Sequence, residues 1–197
     1  MLAVAPVQPP FVARVSAVTR SQLRYSYRPG CSVGSARLRS LRVRYFGFDN
    51  RAHVGVLIVN ASVTRAVVTV FRELYAVRFP IRRMEPVEAF RGSDDRSMAA
   101  DNTSAFNCRY AVAPGAKHWS VHAYGEAIDV NTVENPYVEG GLVRPAAGRR
   151  FLDRENVRPG MAVPNGVLVK AFLSVGWKWG GRWTSSPDYQ HFSATGG

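Results

Sequence analysis

The clearest alternation of apolar and polar positions begins at Leu41, where LRVRYFGF places a side chain of opposite character at nearly every step. That period predicts a half-buried strand, and VGVLIVN at 54–60 reads as its neighbour across the short link FDNRAH, a hairpin. Asn60 or Ser62 then offers a cap for a helix running to about Phe79. Val63, Val67, Val70, Phe71 and Leu74 recur at helical spacing there, and Pro80 stops the run. MEPVEAF at 84–90 reads as another strand, followed by a polar loop, GSDDRSMAADN, with one helical turn. KHWSVHAYGEAIDVN at 117–131 begins as a loop and ends as a strand. A stretch punctuated by Pro and Gly follows at 132–160, then a helix over 165–175. The aromatic, glycine-rich segment 176–193 ends in a last strand. Strands and helices do not alternate strictly, which favours an α+β fold with a central antiparallel sheet flanked by helices.

Residues 1–35 lack this periodicity and are rich in Pro, Ser and Arg, so a loosely packed N-terminal arm is expected before a single domain over 36–197. With 46% hydrophobic and 20% charged residues in 197, the chain can bury a core without a metal to hold it together. Any metal is therefore expected to serve chemistry. No run of about 20 apolar residues exists to span a membrane. The mildly apolar start is interrupted by Pro6, Pro9, Pro10 and Arg14 and makes a poor signal peptide.

The net charge is +12, and all but three of the 26 basic residues (Lys117, Lys170 and Lys178) are arginine. Such a surface attracts polyanions in general. The arginines are scattered, however, and no nucleic-acid-binding motif is present, so no nucleic-acid partner is expected. Cys31 and Cys108 stand far apart with no C-x-x-C pair, which excludes a cysteine zinc finger and a thioredoxin-type site. Two separate thiols or one disulfide suit the sequence equally, and the disulfide would suit an exported protein.

The chain has four histidines: His53, His118, His122 and His191. His118 and His122 are four apart, but Trp119-Ser120-Val121 between them lacks the catalytic glutamate of H-E-x-x-H, and Gly125 opposes a helix. His122 and Asp129 form a better pair. Gly125 permits a turn after the histidine, and on the strand that follows Ile128 and Val130 face one side while Ala127, Asp129 and Asn131 face the other. In Pro187-Asp188-Tyr189-Gln190-His191-Phe192, a turn feeds a strand with His191 on one side and Phe192 on the other. Asp188 would then sit beside a metal without binding it, placed to accept and return a proton.

SVHAYGEAID at 120–129 resembles the S-x-H-x-x-G-x-A-x-D motif of the zinc D-alanyl-D-alanine peptidases. That family includes the vancomycin-resistance carboxypeptidases and the L-alanyl-D-glutamate endolysins of phages. WGGRW at 179–183 followed by DYQHF at 188–192 is similar to the endolysin-type C-terminal motif. The resemblance covers about residues 40–193 and implies the hedgehog/DD-peptidase-like fold. It implies Zn2+ held by His122, Asp129 and His191, with Asp188 as general base. An arginine upstream would stabilise charge on the substrate; Arg109 is the first choice and Arg91 its rival. The implied substrate is the stem peptide of peptidoglycan, cut at D-Ala-D-Ala or L-Ala-D-Glu, with Asp rather than Glu at the base position leaning to the endopeptidase branch. A monomer acting at the cell wall, in the periplasm or outside the cell is expected, and a zinc-containing wall-binding module without hydrolysis is the alternative. Ser120 and Asn131 are candidates to orient the histidines, and one or two of Trp119, Trp177, Trp179 and Trp183 are expected to wall a substrate groove.

Overall fold

The computed structural model describes residues 8–112 and 116–196; residues 1–7, part of the mildly apolar start, lie outside them. The alternating segments pair as expected. Strand β2 (Leu38–Phe46) forms an antiparallel hairpin with β3 (Ala52–Asn60), in register Leu41↔Leu57 and Val43↔Gly55. Paired residues share a face, so Leu41, Val43 and Leu57 form one apolar surface. Helix α1 (Thr64–Ala76) lays Val67, Val70, Phe71 and Leu74 against it, each almost fully buried. The helix ends before Phe79 because Arg78 turns into the left-handed region at φ 53°. That turn lets the Phe79 amide reach Leu74 O and the Ile81 amide reach Phe46 O.

Within the segment expected to be a loose arm, Ala13–Ala17 forms strand β1 along the free edge of β2. Its side chains are mostly exposed, so ladder hydrogen bonds hold it and no alternation of burial marks it in sequence. Residues further along pack under the sheet's other face. Val33, Leu38, Ile58, Phe106 and Cys108 form a second cluster, sealed by a Cys31–Cys108 disulfide with a Cα–Cα distance of 5.9 Å.

MEPVEAF is not a strand. Met84 O accepts from the Val56 amide at the edge of β3, but Pro86 has no N–H to continue a ladder, and Val87–Phe90 closes into a 3-10 turn. Helix α2 (Asp94–Ala99) follows, capped by the Ser93 side chain, which accepts from the Arg96 amide.

The second half builds a separate three-stranded sheet in the order β4-β8-β7, from β4 (Ala127–Asp129), β7 (Lys178–Trp179) and β8 (His191–Ser193). Between β4 and β7 come the hairpin β5 (Tyr137–Glu139) and β6 (Leu142–Arg144) and then helix α3 (Val167–Ser174). Ile128 and Phe192 point from this sheet to the core, where Phe192 stacks on Phe172 of α3 with ring centroids 4.1 Å apart. The fold is thus α+β, its antiparallel pairing divided between two three-stranded sheets and the β5–β6 hairpin.

Candidate metal centre

Asp129 and His191 are direct cross-strand partners, because the register of β4 on β8 sets Asp129 opposite His191 and Ile128 opposite Phe192. Side chains of such a pair leave the sheet on the same face. The other edge of β4 is fixed as well: Ser104 and Asp129 exchange both backbone hydrogen bonds, at 3.0 and 2.9 Å.

His122 arrives from a 3-10 turn, Val121–Tyr124, capped by Ser120, whose Oγ accepts from the His122 amide at 3.3 Å. Gly125 ends the turn at φ 70°, and a Cβ there would lie 2.8 Å from the Asn60 amide nitrogen. The absence of that carbon lets the turn dock on the end of β3. The Asn60 amide donates to Gly125 O at 2.8 Å and the Asn60 side chain to Tyr124 O at 3.0 Å. The extended run Ser104–Asn107 completes the frame, since the Phe106 amide donates to Ile58 O and the Asn107 amide to His122 O.

Three polar side chains therefore meet in the interior. His122 Nε2 lies 3.1 Å from His191 Nδ1 and 3.2 Å from Asp129 Oδ2, and His191 Nδ1 lies 3.3 Å from Asp129 Oδ1. All three residues are buried. His122 Nδ1 sits 2.6 Å from Ala105 O, an atom that only accepts, so Nδ1 carries the proton and Nε2 presents a lone pair to the cluster. Burial opposes charge on His122, but Asp129 outweighs it and raises the imidazole's pKa. Burial lowers that of His191. Burial also opposes charge on Asp129, yet the two imidazoles hold its carboxyl well below the usual range.

This donor set fits a divalent cation. Ligand atoms about 2.0–2.2 Å from a tetrahedral zinc stand about 3.3–3.5 Å apart, close to the spacing found here. Two imidazole nitrogens and a carboxylate also form a buried concentration of electron pairs that shared protons satisfy only in part. Among the described residues, this is the one group of three His, Cys, Asp or Glu side chains spaced to hold a metal.

Asp188, in the turn before β8, stands beside the cluster. Its Oδ1 is buried with no partner, and burial followed by the nearby Asp129 pushes its pKa up to about 8. Gly180 makes this turn feasible: a Cβ there would lie 2.9 Å from Asp188 O and 3.3 Å from the His191 Cβ, and Gly180 O accepts from the Asp188 amide. A cavity of about 180 Å³ opens over the cluster, with Asp188, Arg109, Tyr137, Trp119 and Trp183 in its wall. Trp183 lies against His191 at 5.4 Å and Trp119 stacks on Tyr110, whereas Trp177 and Trp179 are buried in the core. The aromatic side chains thus divide between wall and packing.

Of the two candidate arginines, Arg109 reaches this cavity, its Nε 2.9 Å from Asp94 Oδ2. Arg91 is exposed in a left-handed residue after the Val87–Phe90 turn. Asn131 does not touch the histidines. Its side chain accepts from the Arg82 amide and donates to Pro80 O and Gly160 O, pinning the loop behind β4. His118 lies on the cavity rim and is exposed, and His53 pairs with Asp49 on the surface. Three contributors escaped the sequence reading: the Ala105 carbonyl, Asp94 as the anchor of Arg109, and Tyr137. A backbone carbonyl leaves no trace in residue type, and Asp94 reads as an ordinary acid in a first helical turn. Tyr137 sits in a Pro/Gly-rich stretch with no telling spacing.

Residues 114–194 match a family model described as D-alanyl-D-alanine carboxypeptidase. The matched segment carries His122, Asp129, Asp188 and His191 and stops short of the β1-β2-β3 sheet. No curated protein and no solved structure matches the chain.

Proposed function

We propose that this chain, whose residues 114–194 match the D-alanyl-D-alanine carboxypeptidase family model, hydrolyses an amide bond in the stem peptides of peptidoglycan. The observation that carries the reading is the meeting of His122, Asp129 and His191 beneath an open cavity, with the carboxyl group of Asp188 alongside, its Oδ1 unpartnered. His122 Nε2, His191 Nδ1 and a carboxylate oxygen of Asp129 would hold the metal. Zinc there supplies a Lewis acid that polarises the scissile carbonyl and makes water a nucleophile near neutral pH.

The remaining work falls to the chain's own groups. Asp188 takes the proton of the attacking water and returns it to the leaving amine. The Arg109 guanidinium, held by Asp94, faces the negative charge that develops on the carbonyl oxygen. Ala105 O keeps His122 in the tautomer that leaves Nε2 free. Trp119 and Trp183 flank the peptide and limit water. An aspartate rather than a glutamate at the base position favours the endopeptidase cut, L-Ala-D-Glu, over D-Ala-D-Ala. The cell wall is the expected place of action, and no helix among the described residues is long and apolar enough to cross a membrane.

The test is digestion of purified peptidoglycan and of the pentapeptide L-Ala-γ-D-Glu-L-Lys-D-Ala-D-Ala by zinc-loaded protein, with products identified by mass spectrometry. Stem-peptide fragments should appear, vanish with a chelator and return with zinc. Asp188→Asn should lower kcat by about 10²- to 10⁴-fold while zinc affinity is kept. A protein that binds zinc and cell wall yet releases nothing would be a binding module instead.

A further inference from the structure

Tyr137 is buried, and its hydroxyl is shielded from solvent and makes no hydrogen bond of good geometry, with Glu139 and Ser186 as its polar neighbours. Phenols inside proteins ordinarily find an acceptor. This one lines the same cavity as Asp188, Ser186, Trp183, His122 and His191. Its position is not left to a mobile loop. Tyr137 in β5 stands opposite Asp188 in an antiparallel bridge, flanked by Val138 N–H to Pro187 O at 3.0 Å and Tyr189 N–H to Pro136 O at 3.3 Å. Those two bonds lie on either side of the 137/188 pair, which makes it the non-hydrogen-bonded type, with Cα atoms about 4.5 Å apart and side chains at their closest. Burial, then a hydrogen-bonding interaction with Glu139, raises the phenol's pKa, so the hydroxyl keeps its proton throughout the working range.

We infer that Tyr137 is a specificity residue for the leaving half of the substrate, donating its hydroxyl hydrogen to a carbonyl or carboxylate oxygen of the residue released as the amine. The inference rests on the proposed role of Asp188. A carboxylate that returns a proton to the leaving nitrogen must have the leaving residue against it, and Tyr137 is its cross-strand neighbour. The nearest oxygen on that side belongs to the leaving residue's own carboxyl group, either a free terminus or the carbonyl of a chain that continues. Both sources offer the same acceptor.

The experiment compares wild type and Tyr137→Phe, both zinc-loaded, on the pentapeptide above. It measures kcat and KM, inhibition by the residue released as the amine and by its α-amide (D-glutamate and D-isoglutamine for the L-Ala-D-Glu cut, D-alanine and D-alanine amide for D-Ala-D-Ala), pentapeptide binding by calorimetry, and thermal unfolding. Expected are a kcat/KM lowered about 10- to 100-fold and inhibition weakened for whichever of the two probes binds the wild type. A carboxylate acceptor shows as stronger inhibition by the free amino acid, a chain carbonyl as stronger inhibition by the amide. The melting temperature should hold within a few degrees, because the hydroxyl makes no hydrogen bond of good geometry to lose. A kcat/KM within twofold of wild type overturns the inference, as does a fall that comes with a melting temperature lowered by more than about 5 °C and unchanged product inhibition. Should the wild type bind the pentapeptide without cleaving it, the hydrolytic reading fails on its own. The Tyr137 inference then stands on binding about tenfold weaker in the variant and falls on equal binding. Neither cleavage nor binding by the wild type overturns both.

Discussion

Replacing Gly125 by alanine isolates what the glycine of the first motif does. Two costs arise. At φ 70° an alanine sits in the left-handed region, which costs about 1–2 kcal/mol. Its Cβ would also lie 2.8 Å from the Asn60 nitrogen, 3.1 Å from a Leu38 methyl and 3.2 Å from the Val59 carbonyl carbon. Two of those three are backbone atoms of β3 and cannot swing aside as a flexible side chain would, so overpacking adds about 1–3 kcal/mol. The total, about 2–5 kcal/mol, is a large share of the roughly 5–15 kcal/mol that keeps a domain folded. For a chain of this size it corresponds to a melting temperature lowered by about 5–20 °C. Relief of the clash must push the turn away from β3 and stretch the 2.8 Å bond from the Asn60 amide to Gly125 O. His122 lies in that turn, so zinc affinity should fall at least about tenfold. Gly176→Ala is the internal control: its φ is 82°, but no atom lies within 4 Å of the added carbon. It should lose only the conformational term, about 1–2 kcal/mol, with zinc affinity unchanged. Urea unfolding and competitive zinc titration of both variants measure the difference. Equal destabilisation and equal zinc affinity in the two would refute the role assigned to the close approach of the turn to β3.

Asp94→Asn removes the charge that holds Arg109 Nε at 2.9 Å; kcat/KM should fall about 10-fold or more with zinc affinity intact, read by steady-state kinetics and metal titration. Glu134 lies buried beside Asp101 and Arg82, and burial, then Asp101, pushes its pKa up to about 7. A carboxyl whose folded pKa exceeds its unfolded value favours the fold when protonated. The wild type should therefore lose stability as pH rises from about 4.5 to about 7, up to about 3 kcal/mol, while Glu134→Gln flattens that slope in denaturant curves across the range. Removing the Cys31–Cys108 link by reduction or double serine substitution should cost about 4 kcal/mol, since it closes a loop of 77 residues, and calorimetry with and without reductant reads the loss.

Much of this protein was legible wherever the physics is local. The β2–β3 hairpin shows as alternation on both sides of a short polar link, and α1 and α3 show as apolar positions at helical spacing. Gly125 and Pro187 announce turns through backbone chemistry that needs no partner. Those signals, with the resemblance of the two motifs, mark out His122, Asp129, Asp188 and His191. What they leave open is everything that depends on which distant segments touch. β1 is held by backbone hydrogen bonds and carries no burial pattern, and Pro86 cuts short a stretch whose composition suits a strand. The 1:1 register of β4 on β8 sets Asp129 against His191, and nothing within either short strand specifies it. The tautomer of His122 is set by a carbonyl oxygen 17 residues away in sequence. Arg109 rather than Arg91 enters the cavity because Asp94 and the Tyr110–Trp119 pairing carry its backbone there. Residue types state which chemistry is available. Burial and long-range register, properties of the folded chain alone, decide which groups meet and in what protonation state.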